Sequence, residues 1–361
     1  PFRSDESLDP NVTDHHHTPS HSAAASHRHT PLPRCTGRSM SPDVALIGEI
    51  VLRAVCVLAA FLTLPLLVGQ TEHKVMAHMQ GRLGPMYAGG FHGWAQLVAD
   101  GVKFLQKEDI VPARADAAVF RLAPAVALVP YLVALSVIPL SPGWVAADVD
   151  AGLLFVLAAS AVAVLGTLMA GWSSANKYAL IGSMRAAAQL LAYELPLVLA
   201  AASVAMAAGT LSLTGIGEAG SGGADLAVPG LVVFVVAGLA EVQRPPFDMP
   251  IAESELVAGP YTEYTGLRFA LFLLSEYAGI VVLAGLTAVL FLGGWHGPFS
   301  ETLGPLWTLL KTGLVAVVVI WLRVAWPRLR EDQLQRLAWA GLVPIALAQL
   351  ALTAVVVVLQ A

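Results

Sequence analysis

The chain has 361 residues, of which 57% are hydrophobic and only 12% charged, and its net charge is −5. The charged fraction is about half that of an ordinary soluble domain, which excludes a water-soluble globular fold. The apolar residues form solid blocks about as long as a helix that crosses ~30 Å of hydrocarbon, and not the alternating segments of a β-barrel. The sequence therefore predicts an all-α polytopic membrane protein, because only helices or closed barrels satisfy their backbone polar groups in lipid.

The first 39 residues do not share this pattern. They are rich in Pro, Ser, Thr and His and do not begin with Met. We expect a disordered or spuriously translated tail at 1–39, with Met40 as a candidate start, and a single transmembrane helical domain at 40–361. The run of three histidines and the two cysteines have no spacing typical of a metal site or a disulfide framework, so no metal is expected.

The remaining chain contains eight apolar blocks, which predict eight transmembrane helices. Their approximate bounds are 44–68, 117–140, 151–171, 187–208, 228–242, 267–293, 304–325 and 338–360. Lys and Arg are frequent in the connections after odd-numbered spans, whereas 141–150, 209–227 and 294–303 contain neither. Because basic loops stay in the cytoplasm, we predict a multi-pass protein of the bacterial plasma membrane, with odd-numbered loops cytoplasmic and both termini outside.

The connection at 69–116 contains an amphipathic pattern in which apolar and polar residues each recur at spacings of three and four. The apolar residues are Phe91, Trp94, Val98, Val102 and Leu105, and the polar ones are His92, Gln96, Asp100, Lys103 and Lys107. The pattern predicts a helix lying in the membrane interface. A surface anchor is the first interpretation of this helix, and one wall of a portal for a lipophilic substrate is the alternative.

Acidic residues mark the candidate chemistry. Glu194 and Glu276 lie inside predicted spans, where a charge costs about 2.5–3.5 kcal/mol and therefore usually has a function. The segment from Glu241 to Glu263 also contains Asp248, Glu253 and Glu255, interleaved with apolar residues, against one base, Arg244. Crowding and burial raise carboxyl pKa values toward neutrality, which favours a proton relay over the alternative of a solvated acidic loop.

Other polar residues in the spans have two open interpretations. Lys311 is expected either to snorkel or to pair with a buried carboxylate. Gln189 and Tyr193 are expected to hydrogen-bond across helices as packing contacts, with holding water on a proton path as the alternative.

The predicted cytoplasmic loops also contain a series of short motifs in a fixed order. They are Glu72–Lys74, Gln80–Pro85, Ala99–Lys103 and Lys107–Pro112 in the first loop, Gly171–Ser174, Asn176–Leu180 and Arg185–Gln189 in the second, and Arg244–Pro250, Glu253–Gly259, Thr262–Tyr264 and Arg268–Ala270 in the third. In this order they resemble the H-type membrane subunits, or ND1 family, of respiratory complex I. The resemblance extends over about 43–360.

This resemblance implies a non-redox membrane subunit of a proton-translocating NADH:quinone oxidoreductase. Members of the family help form the quinone chamber and couple quinone reduction to proton translocation through buried carboxylates. Quinone would be a substrate, and flavin and iron-sulfur clusters would be bound only in partner subunits. The expected partners are the other membrane and peripheral subunits, lipid and quinone, and not nucleic acid.

The resemblance also assigns roles to individual residues by matching position. The proton path would consist of Glu194, Glu241, Asp248, Glu253, Glu255, Glu263 and Glu276. The residues near the quinone chamber would be Glu72, Arg82, Arg185 and Arg268.

Three places depart from the usual family pattern. His73 stands where Arg is common, Met86-Tyr87 where Asn-Arg is common, and Ile251 where a Glu is common. These departures suggest a divergent paralogue from an incomplete or alternative complex. Two other classes also stay open: a subunit of a hydrogenase-like or other donor-dependent complex, and a stand-alone proton-coupled transporter, which would also use carboxylates inside the membrane. The proteins that copurify with the chain would distinguish the three.

Overall fold

The computed structural model describes residues 42–220 and 224–360, without the side chains of 42–45, 224–227 and 253–254. Every regular element in these ranges is helical, which confirms the all-α prediction. The helices are α1 (Pro42–Met79), α2 (Gln96–Gln106), α3 (Ala117–Val137), α4 (Gly152–Ser173), α5 (Lys177–Ala208), α6 (Leu213–Ala219), α7 (Ala224–Glu241), α8 (Glu253–Leu256), α9 (Gly266–Leu290), α10 (Ser300–Ala325), α11 (Glu331–Arg336) and α12 (Val343–Gln360). A π-helical turn, Leu337–Leu342, joins α11 to α12.

The long apolar helices agree with the predicted spans. Among the described residues, seven are long and apolar enough to cross a membrane, and Val228–Glu241 in α7 is a shorter apolar helix at the predicted fifth span. Two helices extend well beyond their predicted bounds, because α1 continues to Met79 and α5 already begins at Lys177. Charged residues interrupt the apolar pattern in both extensions, Glu72 and Lys74 in α1 and Lys177 and Arg185 in α5, so a search for apolar blocks does not detect them. The predicted tail at 1–39 lies outside the described residues.

The helices from α3 onward form a bundle in which α4 packs on α3 and α5, α7 and α12 pack on α5, and α9 packs on α3 and α10. Small residues allow the closest approach. A Cβ on Gly166 in α4 would collide with the backbone of Ala127 in α3. Close backbone contact of this kind is typical of helix association in lipid, where dispersion replaces the hydrophobic effect.

The predicted amphipathic helix is present as α2, and the two aromatic residues at the start of the pattern precede it. Phe91 lies in a 3₁₀ turn, Trp94 follows that turn, and both are exposed together with Val98, Val102 and Leu105. A helix at the membrane interface needs an apolar face that contacts lipid, and the exposed apolar residues of α2 and the preceding turn can form such a face.

The loop after α7 folds back against the bundle, as its apolar residues predict. Phe247 and Met249 are buried in the core, and Gln189 of α5 donates hydrogen bonds to the carbonyls of Ala240 and Phe247, at 2.6 and 2.7 Å. Tyr193, one turn further along α5, donates to the Leu334 carbonyl at 2.8 Å. The packing interpretation of Gln189 and Tyr193 is therefore confirmed.

Lys311 does not pair with a carboxylate among the described residues, so that interpretation is wrong. Its Nζ donates hydrogen bonds to the backbone carbonyls of Leu292, Gly294 and His296, at 2.7, 2.7 and 2.8 Å. These carbonyls follow the end of α9, where helical partners are absent and the helix dipole favours a cation. Lys311 thus fastens the α9–α10 connection to α10.

Candidate functional site

Alternation of helix direction brings the predicted site residues to one end of the bundle. Ion pairs link the last turns of α1 and α10 and the third turn of α9 to Arg244, in the loop that follows α7. A further pair links Arg185 of α5 to Glu255. Most of the Lys and Arg residues in the chain lie in the connections at this end or in the helix turns that border them.

Four charged side chains form a cluster at this end, which we call the central ion cluster: Glu72, Arg244, Glu276 and Arg323. The Nη1 atom of Arg244 donates to both carboxylate oxygens of Glu72 at 3.1 Å, and its Nε lies 2.7 Å from Glu276 Oε1. Arg323 also pairs with Glu72, and the Arg244 guanidinium lies 4.6 Å from the centre of the Tyr277 ring. The cluster therefore joins α1, α9, α10 and the loop after α7.

Burial makes this cluster sensitive to charge. The side chains of Glu72 and Arg244 are each only 2% exposed, and among the described residues Arg244 Nη2 has no hydrogen-bond partner. Two carboxylates and two guanidinium groups balance formally. At low effective dielectric, a change in charge on one member alters the energy of the others far more than it would in water.

A cavity of about 30 Å³ is lined by both Glu276 and Glu241. The other polar side chains in the wall are Tyr131, Thr167, Gln243, Tyr261 and Ser275. Because one water requires at least about 10–15 Å³ measured in this way and two to four polar partners, the cavity has the volume and lining to hold water. Glu276 thus belongs to both the central ion cluster and the cavity.

A second cavity, of about 20 Å³, also has Glu241 in its wall. It shares Tyr131, Glu241 and Val242 with the first cavity. Ser160 contributes a further hydroxyl, and the other wall residues are apolar. Glu194 lies close enough to Glu241 for their charges to interact. Three of the seven predicted path acids, Glu194, Glu241 and Glu276, are therefore near one another in the interior.

The remaining path acids lie in other surroundings. Glu263 accepts a hydrogen bond from Asn176 Nδ2 at 2.7 Å, and Asp248 is half-buried. The side chain of Glu253 lies outside the described residues.

Glu255 is the predicted path acid that differs most from the expectation of a shielded loop, because its side chain is 52% exposed. It forms an ion pair with Arg185, with Arg185 Nη1 at 2.7 Å from Glu255 Oε2, and Arg328 lies at 3.9 Å from the other oxygen. The hydrogen bond from Arg185, assisted by the charges of both arginines, lowers the pKa of the Glu255 carboxyl. Glu255 is thus an ionised surface group in the isolated chain.

The residues predicted near the quinone chamber belong to separate groups of contacts. Glu72 is part of the central ion cluster and Arg185 pairs with Glu255. Arg268 pairs with Asp109 at 3.0 Å. Arg82 is exposed and donates to Gln80 in the turn after α1.

Sequence reasoning missed several side chains of the site, namely Arg323, Tyr131, Thr167 and Tyr261. Arg323 could have been identified, because it lies inside a predicted span and the high cost of a charge in a span applies to it as it does to Glu276. The two tyrosines and the threonine have no comparable signal, since uncharged hydroxyl residues are common in membrane helices and loops.

Comparison with known proteins identifies the family. Residues 52–354 match the family model described as NADH dehydrogenase. The chain is 46% identical to the H subunit of NADH-quinone oxidoreductase from Geobacillus sp. (strain WCH70) over 301 residues, which cover 82% of this chain and 90% of the relative. It is 43% identical to the H subunit from Anoxybacillus flavithermus (strain DSM 21510 / WK1) over 318 residues, covering 87% and 95% of the two chains. The chain therefore belongs to the H-subunit, or ND1, family of respiratory complex I.

Proposed function

We propose that this chain helps form the quinone chamber of a proton-translocating NADH:quinone oxidoreductase and couples quinone reduction to proton translocation. The relatives are named as the H subunit of an NADH-quinone oxidoreductase, which supports membership in such a complex. In this proposal the chain binds and couples, while flavin and iron-sulfur clusters in partner subunits transfer the electrons.

The observation that carries the proposal is the unbroken series of interior groups from Glu72 to Glu241. Glu72 contacts Arg244, Arg244 contacts Glu276, and Glu276 shares a cavity with Glu241. Reduction of a quinone beside Glu72 creates negative charge that must be neutralised by protons. That charge changes the balance of the central ion cluster, and so the proton affinity of Glu276 and then of Glu241.

The proposal also includes the other predicted chamber residues and path acids. Arg82, Arg185 and Arg268 lie at the end of the bundle nearest the central ion cluster, which we assign to the cytoplasmic side together with the chamber. Among the acids, Glu194 is proposed to continue the path beyond Glu241. The acids of the third cytoplasmic loop, Asp248, Glu253, Glu255 and Glu263, are proposed to connect the path to the chamber and to the cytoplasm.

The test is a Glu241→Gln variant in the assembled complex in inverted membrane vesicles. We expect NADH-driven proton uptake to fall at least about tenfold, because the amide retains the shape of the side chain but cannot accept a proton at its path position. The measurements are quinone reduction and proton uptake. NADH oxidation by a water-soluble artificial acceptor serves to quantify assembly.

Glu49→Gln is the matched control, because Glu49 is also a carboxylate on a membrane helix but is exposed and paired with Arg53. It should behave like the parent. An assembled Glu241→Gln complex that takes up protons at the parental rate would overturn the proposal. Purification of the chain with a nickel-iron subunit, or as an active single chain, would also contradict it.

A further inference from the structure

The cavity between Glu276 and Glu241 is lined by hydroxyl groups from four separate elements. Ser275 of α9 donates its own to the Ala127 carbonyl at 2.7 Å, and the other three belong to separate elements. Tyr131 comes from α3, Thr167 from α4 and Tyr261 from the 3₁₀ turn Gly259–Tyr261. Its remaining wall includes Ile251, which has no group that can exchange a proton. A proton that crosses this cavity therefore has hydroxyls, water and the Gln243 amide as its available carriers.

The hydroxyls are placed to act in series. Tyr261 OH and Thr167 Oγ1 are 3.1 Å apart and form a hydrogen bond in which either can donate. Tyr131 lines both cavities, beside Glu241. Gly279 of α9 leaves room for this phenol, since a Cβ there would lie 3.2 Å from the Tyr131 hydroxyl oxygen.

A hydroxyl group both donates and accepts, so it can pass a proton without acquiring a lasting charge. Burial raises the pKa of the Tyr261 phenol, and the nearby carboxylates of Glu276 and Asp248 raise it further. Tyr261 therefore stays neutral at physiological pH. A neutral hydroxyl between two carboxyl groups is suited to relay protons and unsuited to store them.

We propose that the hydroxyls of Tyr261, Thr167 and Tyr131, together with water in the cavity, carry the proton between Glu276 and Glu241. The Glu276 carboxyl gives its proton to a neighbouring hydroxyl or water oxygen, which releases its own proton to the next, and the last oxygen protonates the Glu241 carboxylate. One O–H bond forms for each that breaks, and nothing is oxidised or reduced. This relay rests on the proposed function and names the groups that bridge its two interior acids.

The decisive variant is Tyr261→Phe in the assembled complex in vesicles. It keeps the ring that packs against Phe272 and removes only the hydroxyl. We expect proton uptake and quinone reduction to fall about tenfold and the solvent deuterium isotope effect on the remaining rate to rise, because proton transfer becomes more limiting. Thr167→Val, which removes the partner hydroxyl, should act in the same direction and provides a second test if Tyr261→Phe fails to assemble.

Tyr264→Phe is the matched control. Tyr264 is a neighbouring tyrosine that is only 4% exposed, and its hydroxyl donates to the Phe120 carbonyl at 3.1 Å, but it does not line the cavity. Its loss should leave the isotope effect and the proton uptake per electron at the parental values.

Ile251→Glu in the Tyr261→Phe background separates a relay from a packing role. A carboxyl group in the same wall supplies a new proton carrier, so we expect proton uptake to recover at least severalfold. A Tyr261→Phe complex with parental rates, or an impaired one that Ile251→Glu does not improve, would overturn the relay. In either case an impaired Glu241→Gln complex would leave the proposed function standing, whereas an unimpaired one would remove the proposed function itself.

Discussion

At the scale of single residues, the site contains two kinds of ion pair that differ in their energy. The Glu72–Arg244 pair is almost completely buried, whereas the Arg185–Glu255 pair has a half-exposed carboxylate. A buried pair gains little over apolar packing, but removal of one partner leaves the other as an uncompensated charge. An exposed pair is screened by water, and its loss has a small effect.

We therefore predict that Arg244→Gln destabilises the protein far more than Arg185→Gln. The first change leaves Glu72 and Glu276 short of a counter-charge, which costs about 3–5 kcal/mol. The second costs less than about 1 kcal/mol. The measurement is the thermal unfolding midpoint of the purified complex, with the yield of assembled complex as a second indicator. Equal effects of the two changes would mean that the central ion cluster is open to water.

Glu276 and Glu194 were identified from the sequence, because a charged residue inside a membrane span is energetically costly and therefore usually functional. The same reasoning did not identify their partners. Lys311 shows why: its three acceptors are backbone carbonyls, and backbone groups look the same at every position of a sequence. Arg323 and Glu72, which form an ion pair, are 251 residues apart in the chain, so their contact depends on the tertiary fold that brings the ends of α1 and α10 together.

At the scale of elements, the bundle depends on positions where two helix backbones come close together. Gly166 provides the clearest case, because a Cβ there would collide with the α3 backbone at Ala127. Thr167, the next residue of α4, faces the cavity that Glu241 and Glu276 share. Packing of α3 against α4 therefore also determines the distance between the Tyr131 and Thr167 hydroxyls.

We predict that Gly166→Ala is destabilising by about 1–3 kcal/mol, although alanine is the better helix former, because it overpacks the α3–α4 contact. Gly313→Ala is the control, since nothing lies within 4 Å of a Cβ at this position in α10. That change should be neutral or slightly stabilising. Thermal unfolding of the purified complex measures both. A Gly166→Ala protein as stable as the Gly313→Ala protein would show that α3 and α4 can separate without cost.

Apolar blocks predicted the number and order of the long helices, because a membrane requires apolar length whatever the tertiary contacts. The ends of these helices were less predictable. Helix α5 begins at Lys177, one residue after Asn176, whose side chain accepts a hydrogen bond from the Tyr178 amide. This capping contact lies about ten residues before the predicted span. The charged residues Lys177 and Arg185 lie between the two, so no continuous apolar block marks the start of the helix.

At the scale of the whole molecule, the central ion cluster and most of the basic residues lie at the same end of the bundle. The central ion cluster is formed by residues near the ends of α1 and α10, by Arg244 in the loop after α7 and by Glu276 in α9. Most of the Lys and Arg residues lie in the connections near this end or in the helix turns that border them. The opposite connection at 138–151 contains none. Basic residues are retained in the cytoplasm during insertion, so the asymmetry predicts that the central ion cluster lies on the cytoplasmic side of the membrane.

The orientation can be tested by thiol labelling in a parent in which Cys35 and Cys56 are replaced by Ser. We predict that Asp150→Cys, in the connection between α3 and α4, reacts with a membrane-impermeant maleimide in intact cells. Ala113→Cys, in the connection between α2 and α3, should react only after the membrane is permeabilised. Both positions are exposed, and both should label fully in denaturant. The reverse pattern would place the central ion cluster on the outer side. It would contradict the proposed quinone chamber beside Glu72, because electrons from NADH in the cytoplasm would then have to cross the membrane to reach it.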